Sequence, residues 1–204
     1  MSIEQKSVVI TSAARTAIGT FRGSLKKMQA HDLGSIVIKE VIKKSNLKSN
    51  DIDDLIMGQV LTAGVGQNPA RQAGIKAGIP IEKPAYIVNQ VCGSGLRSIA
   101  AGYQSIISYD AKIVVAGGQE SMTNAPHTIH FRNDKKLNES KLVDTMIKDG
   151  LWDAFNGYHM GMTAENVAEK WQILGATKII LLYLHKLKLK KHKKKKNLKM
   201  KLFL

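Results

Sequence analysis

The sequence predicts a layered α/β domain built on a largely parallel sheet. Two patterns carry that prediction. Short apolar runs (Val8–Ile10, Leu55–Met57, Tyr86–Val88 and Ile113–Ala116) alternate with segments of helical period, and the runs are continuous, as in strands buried on both faces. A third observation is the position of the one cysteine, Cys92, a few residues after the third run. Sheets of this class present their reactive groups at the carboxyl ends of strands.

Taken in order, Val8-Val9-Ile10 reads as a short buried strand, followed by a loop through Arg15, Gly19 and Gly23. Leu33, Ile36, Val37 and Val41 recur at helical spacing. Asp32 serves the first turn of that helix, and Lys39, Lys43 and Lys44 lie toward its end, where the dipole favours cations. Leu55–Met57 is the second strand, and a glycine-rich connection around Gly64 and Gly66 leads to a helix over Asn68–Ala77. Asn68 is suited to cap that helix and Pro69 to open it. Tyr86–Val91 is the third strand, and Leu96, Ile99, Ala100, Tyr103, Ile106 and Ile107 give the period of the helix after Cys92. Ile113–Ala116 is the fourth strand.

After Gly117-Gly118 the periodicity weakens and polar residues increase. Residues 119–160 read as a loop-rich region with two methionine-bearing turns, Glu120-Ser121-Met122 and Tyr158-His159-Met160-Gly161-Met162, closed by a helix starting near Thr163. The domain boundaries expected are 1–121 for the α/β domain, 122–175 for a partial loop domain and 176–204 for a lysine-rich tail.

The net charge of +15 invites a nucleic-acid reading, but its distribution argues against one. Residues 176–204 hold eleven lysines and no acidic residue, and the remaining chain has 20 basic against 16 acidic residues, a net of only +4. From Lys178 onward, all residues except His185, His192 and Met200 have codons composed only of A and T, the pattern of an AT-rich gene read out of frame. A basic amphipathic helix for polyanions or membranes is the alternative. The leucines form no clean apolar face, however, and no arginine interleaves the lysines, so an aberrant terminus is favoured and nucleic acid is an unexpected partner. One cysteine excludes an intrachain disulfide and a cysteine-rich zinc site. Val8–Ile10 is too brief for a signal-peptide core, so the expectation is a cytoplasmic protein without a membrane segment.

Cys92 sits at a predicted strand-to-helix elbow. A lone cysteine is most often a small buried hydrophobe. The Gly93-Ser94-Gly95 run after it reverses that expectation, because packing alone does not require three small residues there. Free amides at a helix N-terminus favour a thiolate and can cradle an oxyanion, and glycine leaves room for a bulky thioester.

The stretch Asn89-Gln90-Val91-Cys92-Gly93-Ser94-Gly95-Leu96-Arg97 resembles the nucleophile motif of the thiolases, in particular the biosynthetic acetyl-CoA acetyltransferases. Three further blocks resemble the family in order and spacing. They are Arg15-Thr16-Ala17-Ile18-Gly19, Gly117-Gly118-Gln119-Glu120-Ser121-Met122, and Tyr158-His159-Met160-Gly161 running into Thr163-Ala164-Glu165-Asn166. The resemblance covers about residues 5–172. It implies a thiolase-like αβα domain with part of an inserted loop domain, and Cys92 as the nucleophile that takes an acetyl group from acetyl-CoA. His159 and Met160 would line the site near the pantetheine end. It also implies coenzyme A thioesters as substrates, acetoacetyl-CoA as condensation product, no separate cofactor or metal, and assembly into dimers or tetramers. His127 and His130 match no catalytic block.

The chain also departs from the family. Members are nearly twice as long, and their second half supplies an Asn-Glu-Ala-Phe block, a Gly-His-Pro block that activates the nucleophile, and a Cys-x-Gly-Gly block whose cysteine is the base for the second acetyl-CoA. None of these occurs here. The resemblance therefore implies impaired condensation, an exposed apolar face where the halves would pack, and the absence of the last elements of the first domain. A non-catalytic assembly fragment is the alternative. Arg22 stands where the family often has glycine.

Overall fold

A computed structural model describes residues 7–130 and 141–173, together with 175, 177, 179, 180, 183 and 184. The chain forms two compact units, Met1–Gly150 and Leu151–Leu204.

In the first unit, α1 (Ala30–Lys44), β1 (Asp54–Gly58), α2 (Pro69–Ala77), β2 (Ala85–Val88), α3 (Ser94–Ile107) and β3 (Val114–Gly118) follow one another. The strands form a parallel sheet in the order β2-β1-β3, with Leu55 opposite both Ala85 and Val115. All five residues of β1 are buried, as a central parallel strand requires. Leu55 and Met57 face Ile38 and Ile42 of α1 and Ala70 and Ala73 of α2, forming the main core. The opposite face receives α3, where Gly102 lies against Val114 and Ala116.

Two helix starts follow the sequence reading. The Asp32 carboxylate accepts the Gln29 amide at 3.0 Å at the head of α1, and the Asn68 side chain accepts the Arg71 amide at 3.0 Å at the head of α2. At the foot of β3, Asp53 accepts the Lys112 and Ile113 amides at 2.9 and 3.0 Å, which fixes where that strand begins.

Three expectations about the first unit are corrected. Val8–Ile10 is not a strand: it is an irregular segment outside the sheet, with Val9 and Ile10 72% and 78% exposed. Its continuation is tied to α1 by side chains, Ser12 donating to the Val41 carbonyl at 2.9 Å and Lys44 to the Ala13 carbonyl at 3.3 Å. Without an adjacent strand, its apolar residues have nothing to pair with. The third strand ends at Val88, three residues short of the expected limit, because the backbone turns into the elbow that carries Cys92. In α3, the residues buried against the sheet are Ser94, Ser98 and Gly102, whereas Leu96, Ile99 and Tyr103 are exposed. Close approach of helix to sheet selects small residues on the inner face.

Between residues 122 and 150 lies a short antiparallel ribbon, β4 (His127–Thr128) with β5 (Val143–Asp144). The Thr145 hydroxyl donates to the Pro126 carbonyl at 2.6 Å beside it. His127, given no role by the sequence, lies 3.8 Å from the Asp144 carboxylate.

In the second unit, the Asp153 carboxylate accepts the Phe155 and Asn156 amides, each at 2.9 Å, and closes a tight turn ahead of α4 (Met160–Lys170). This helix starts three residues before the expected Thr163, because the His159 side chain supplies the cap. Most of the lysine-rich tail, including everything from His185 onward, lies outside the described residues. Among the described residues, no helix is long and apolar enough to cross a membrane.

Candidate active site

The elbow between β2 and α3 is built by its own residues. Val91 adopts φ 47°, a left-handed conformation that costs a β-branched residue roughly 1–3 kcal/mol and persists only when its surroundings hold it. Here they do. Its amide donates to the Asn89 side-chain oxygen at 3.0 Å, and its carbonyl accepts the Ser94 hydroxyl at 2.6 Å and the Ser94 amide at 3.1 Å. The Ser94 oxygen also accepts the Gln90 amide at 2.9 Å, so one buried serine closes the turn from both sides. Cys92, the next residue after the strained valine, is exposed.

The free amides expected after Cys92 are fewer than the sequence suggested. The Gly93 amide donates to the Gln90 carbonyl at 3.0 Å and the Ser94 amide to Val91, so both are engaged within the turn. This leaves the Gly95 and Leu96 amides of the first turn of α3 without a hydrogen-bond acceptor among the described residues.

Beneath the elbow, glycines let α3 rest directly on the strand ends. A Cβ on Gly58 would lie 2.3 Å from the Ser94 carbonyl carbon and 2.5 Å from the Gly95 nitrogen, and one on Gly118 would lie 3.3 Å from the Gly95 Cα. The Ser98 hydroxyl lies 2.7 Å from both the Gly95 and Gly117 carbonyls and stitches helix to sheet.

A second layer of support comes from the block after β3. Glu120 accepts the Val60 amide at 2.8 Å, and the Val60 carbonyl lies 3.4 Å from the Asn89 side-chain nitrogen. Asn89 thus links the loop after β1 to the elbow. Burial pushes the Glu120 carboxyl above the usual carboxylate range, partly offset by the amides of Val60, Leu61 and Ser121. Gln119 donates to the Gln59 side-chain oxygen at 2.8 Å, and Ser121 to the Met28 carbonyl at 2.9 Å. Sequence reasoning gave Asn89, Ser94 and Glu120 no individual roles. A serine three residues after a turn carbonyl was a readable signal for Ser94, whereas the Glu120 contact spans 60 residues and left none.

His159 caps α4 in the second unit, its Nδ1 accepting the Gly161 amide at 3.0 Å. That acceptance places the ring proton on Nε2 and leaves it free to donate. Met160 is half-buried, its sulfur 4.0 Å from the Thr163 hydroxyl. Cys92 therefore belongs to the first unit, and His159 and Met160 to the second. Among the described residues, no group of three or more His, Cys, Asp or Glu side chains is placed to hold a metal ion.

A strand-to-helix elbow carrying an exposed cysteine over the carboxyl ends of parallel strands defines the class, and the comparisons name the family. The chain belongs to the thiolases: the family model described as thiolase, N-terminal domain, matches residues 8–176. It is 58% identical over 167 residues to an acetyl-CoA acetyltransferase of Rhizobium meliloti, covering 82% of this chain and 42% of that one. To the cytosolic acetyl-CoA acetyltransferase of Rattus norvegicus it is 51% identical over 173 residues, covering 85% and 44%. Among solved structures, the Acat5 thiolase from Ascaris suum in complex with coenzyme A matches with a TM-score of 0.75 and 41% identity, over 79% of this chain and 42% of that one. The chain thus spans less than half the length of these relatives, and its α/β fold is that of the thiolases.

Proposed function

We propose that this chain is the nucleophile-bearing part of an acetyl-CoA acetyltransferase. The observation that carries the reading is Cys92, exposed after a locked, strained elbow at the head of α3, in a chain 58% identical to an enzyme of that name. The Cys92 thiolate attacks the carbonyl carbon of acetyl-CoA. The carbon–sulfur bond to coenzyme A breaks, the released thiolate takes up the proton lost by Cys92, and the acetyl group stays on Sγ. The unengaged amides of Gly95 and Leu96 are the first-turn donors available to a developing oxyanion. His159, with a donor at Nε2, and Met160 line the pantetheine arm, and coenzyme A thioesters are the only small molecules the chain requires.

Condensation of a second acetyl-CoA needs a base to remove its α-proton. With Cys92 as the one cysteine, the sequence as it stands forms the acetyl adduct without turning over. In this reading, residues 1–121 are the thiolase α/β domain, 122–175 part of the loop domain and 176–204 an appended tail. The setting is the cytoplasm, and assembly into dimers or tetramers belongs to the full-length family.

The test is mass spectrometry of the purified chain after incubation with acetyl-CoA. An acetyl group on the Cys92 peptide that is absent in Cys92→Ala supports the reading, and an unmodified Cys92 overturns it. Thiolysis of acetoacetyl-CoA by the same preparation should be undetectable. Turnover close to that of a full-length relative would contradict the proposed division of labour.

A further inference from the structure

In the second unit, the chain ahead of α4 folds back on itself as a short hairpin. Trp152 and His159 stand opposite each other in it as an antiparallel bridge. On the turn side of that bridge the Asp153 amide donates to the Tyr158 carbonyl at 2.8 Å, and the Gly157 amide to the Asp153 carbonyl at 2.9 Å. A ladder bond one residue inside the bridge makes Trp152 and His159 a non-hydrogen-bonded pair, the kind in which facing side chains come closest. The two side chains therefore share one face of the hairpin, with Cβ atoms about 4.5–5.5 Å apart. Both residues are exposed, Trp152 to 41%, whereas Asp153 and Tyr158, which alternate onto the other face, are half-buried. The arrangement is held at both ends. Asp153 closes the turn through the Phe155 and Asn156 amides, and the Gly161 amide fixes the His159 ring through Nδ1. An oriented imidazole donor thus stands beside an indole presented to solvent.

We propose that Trp152 is a further substrate-binding residue, whose indole packs on the methylene groups of the thioester's pantetheine arm while the His159 Nε2–H beside it donates to one of the arm's amide carbonyls. The inference rests on the proposed role of His159 and adds to it a residue that lies outside the motif blocks. The chemistry of the arm selects it. Pantetheine alternates short apolar stretches with amides, so its site needs apolar surface directly beside a hydrogen-bond donor. An indole next to an imidazole whose ring proton sits on Nε2 supplies that combination. Covering the exposed part of Trp152 also removes a large apolar area from water, a gain that neither His159 nor the turn provides.

The full chain has two tryptophans, so Trp171→Phe leaves Trp152 as the one source of indole emission. That variant is titrated with pantetheine and, separately, with ATP, a nucleotide without the arm. The expected result is a saturable shift of emission to shorter wavelength with pantetheine and none with ATP. No shift with pantetheine, a shift with ATP alone, or an equal shift with both overturns the proposal. A kinetic arm separates binding from folding. Acetylation of Cys92 is followed by mass spectrometry with two donors, acetyl-CoA and p-nitrophenyl acetate, of which the second has no pantetheine arm. Trp152→Ala should slow acetylation by acetyl-CoA at least about fivefold more than acetylation by p-nitrophenyl acetate. Trp152→Phe, which keeps an aromatic face, should recover most of that loss. An equal loss with both donors, or no loss with acetyl-CoA, overturns the proposal. If acetyl-CoA leaves Cys92 of the parent unmodified while Trp152 emission still shifts with pantetheine, the reading of Cys92 fails and the assignment of Trp152 stands.

Discussion

The Asn89 side-chain oxygen accepts the Val91 amide at 3.0 Å, and Val91 is the residue whose left-handed backbone aims Cys92. That hydrogen bond, with the two from Ser94 to the Val91 carbonyl, holds a conformation that valine does not choose by itself. Asn89→Ala should therefore lower stability by about 1 kcal/mol, and Ser94→Ala by about 1–3 kcal/mol, because the latter strands the Gln90 amide as well. Both should slow alkylation of Cys92 by iodoacetamide at fixed pH. Urea unfolding and the alkylation rate are the measurements. An unchanged rate in both variants would show that the elbow does not control the thiol.

Glu120 makes a pH-dependent contribution of definite sign. Burial raises its carboxyl above the ordinary range, so the folded state binds the proton more tightly than the unfolded state does. Its favourable contribution is complete below the unfolded value and declines as the pH rises through the raised folded one. Asp53 runs the other way. The Lys112 and Ile113 amides hold its carboxyl below the usual range, so its stabilisation is complete above the unfolded value and is lost as pH falls through the folded one. Urea midpoints measured from pH 3 to pH 7 should lose an acid-side dependence in Asp53→Asn, and a dependence of opposite slope in Glu120→Gln.

Arg22 adopts φ 55°, in the region that glycine occupies without strain. This accounts for the glycine that the family often has there. Arg22→Gly should raise stability by about 0.5–1 kcal/mol, the relief of left-handed strain exceeding the added freedom of the unfolded chain. The amide that donates to the Thr123 hydroxyl at 3.0 Å is kept in that variant. Thermal unfolding of the two proteins side by side decides the sign.

Two glycines near Cys92 should respond very differently to alanine. Gly58→Ala would drive a methyl group into the Ser94 and Gly95 backbone, so a loss of roughly 3 kcal/mol or more, or failure to fold, is expected. Gly95→Ala finds its nearest neighbours at 3.7 Å and should fold with unchanged or slightly improved stability. In that folded variant, a fall in Cys92 acetylation would report crowding of the thioester and not loss of structure.

Much of the sheet was readable because parallel strands and their helices announce themselves locally. The periods of β1 and α2, the Asn68 cap and the Asp32 carboxylate in α1 all rest on residues close in the chain. What stayed hidden depends on contacts between distant residues. Val8–Ile10 has the composition of a strand but no neighbour to pair with. The inner face of α3 is small because of glycines in β1 and β3, a constraint that no helical period displays. For the site, Cys92 was legible from its small flanking residues, but the link from Glu120 through the 60–61 loop to Asn89 exists only in three dimensions. The start of α4 was misread because histidine is an uncommon cap, and its ring here does what serine or aspartate usually does.

The open edge of β3 has a consequence in time as well as in space. A thiolase is synthesised from its N-terminus at roughly 5–20 residues per second, so a chain that has emerged only as far as this one waits tens of seconds for the rest. During that interval the nucleophile elbow can already be formed, since the hydrogen bonds of Asn89, Val91 and Ser94 and the Glu120 to Val60 link all lie between residues 58 and 120. The sheet it stands on still offers an unpaired apolar edge. A nascent thiolase at this stage already holds its cysteine in position while the sheet beneath it is still open to association with other strand edges.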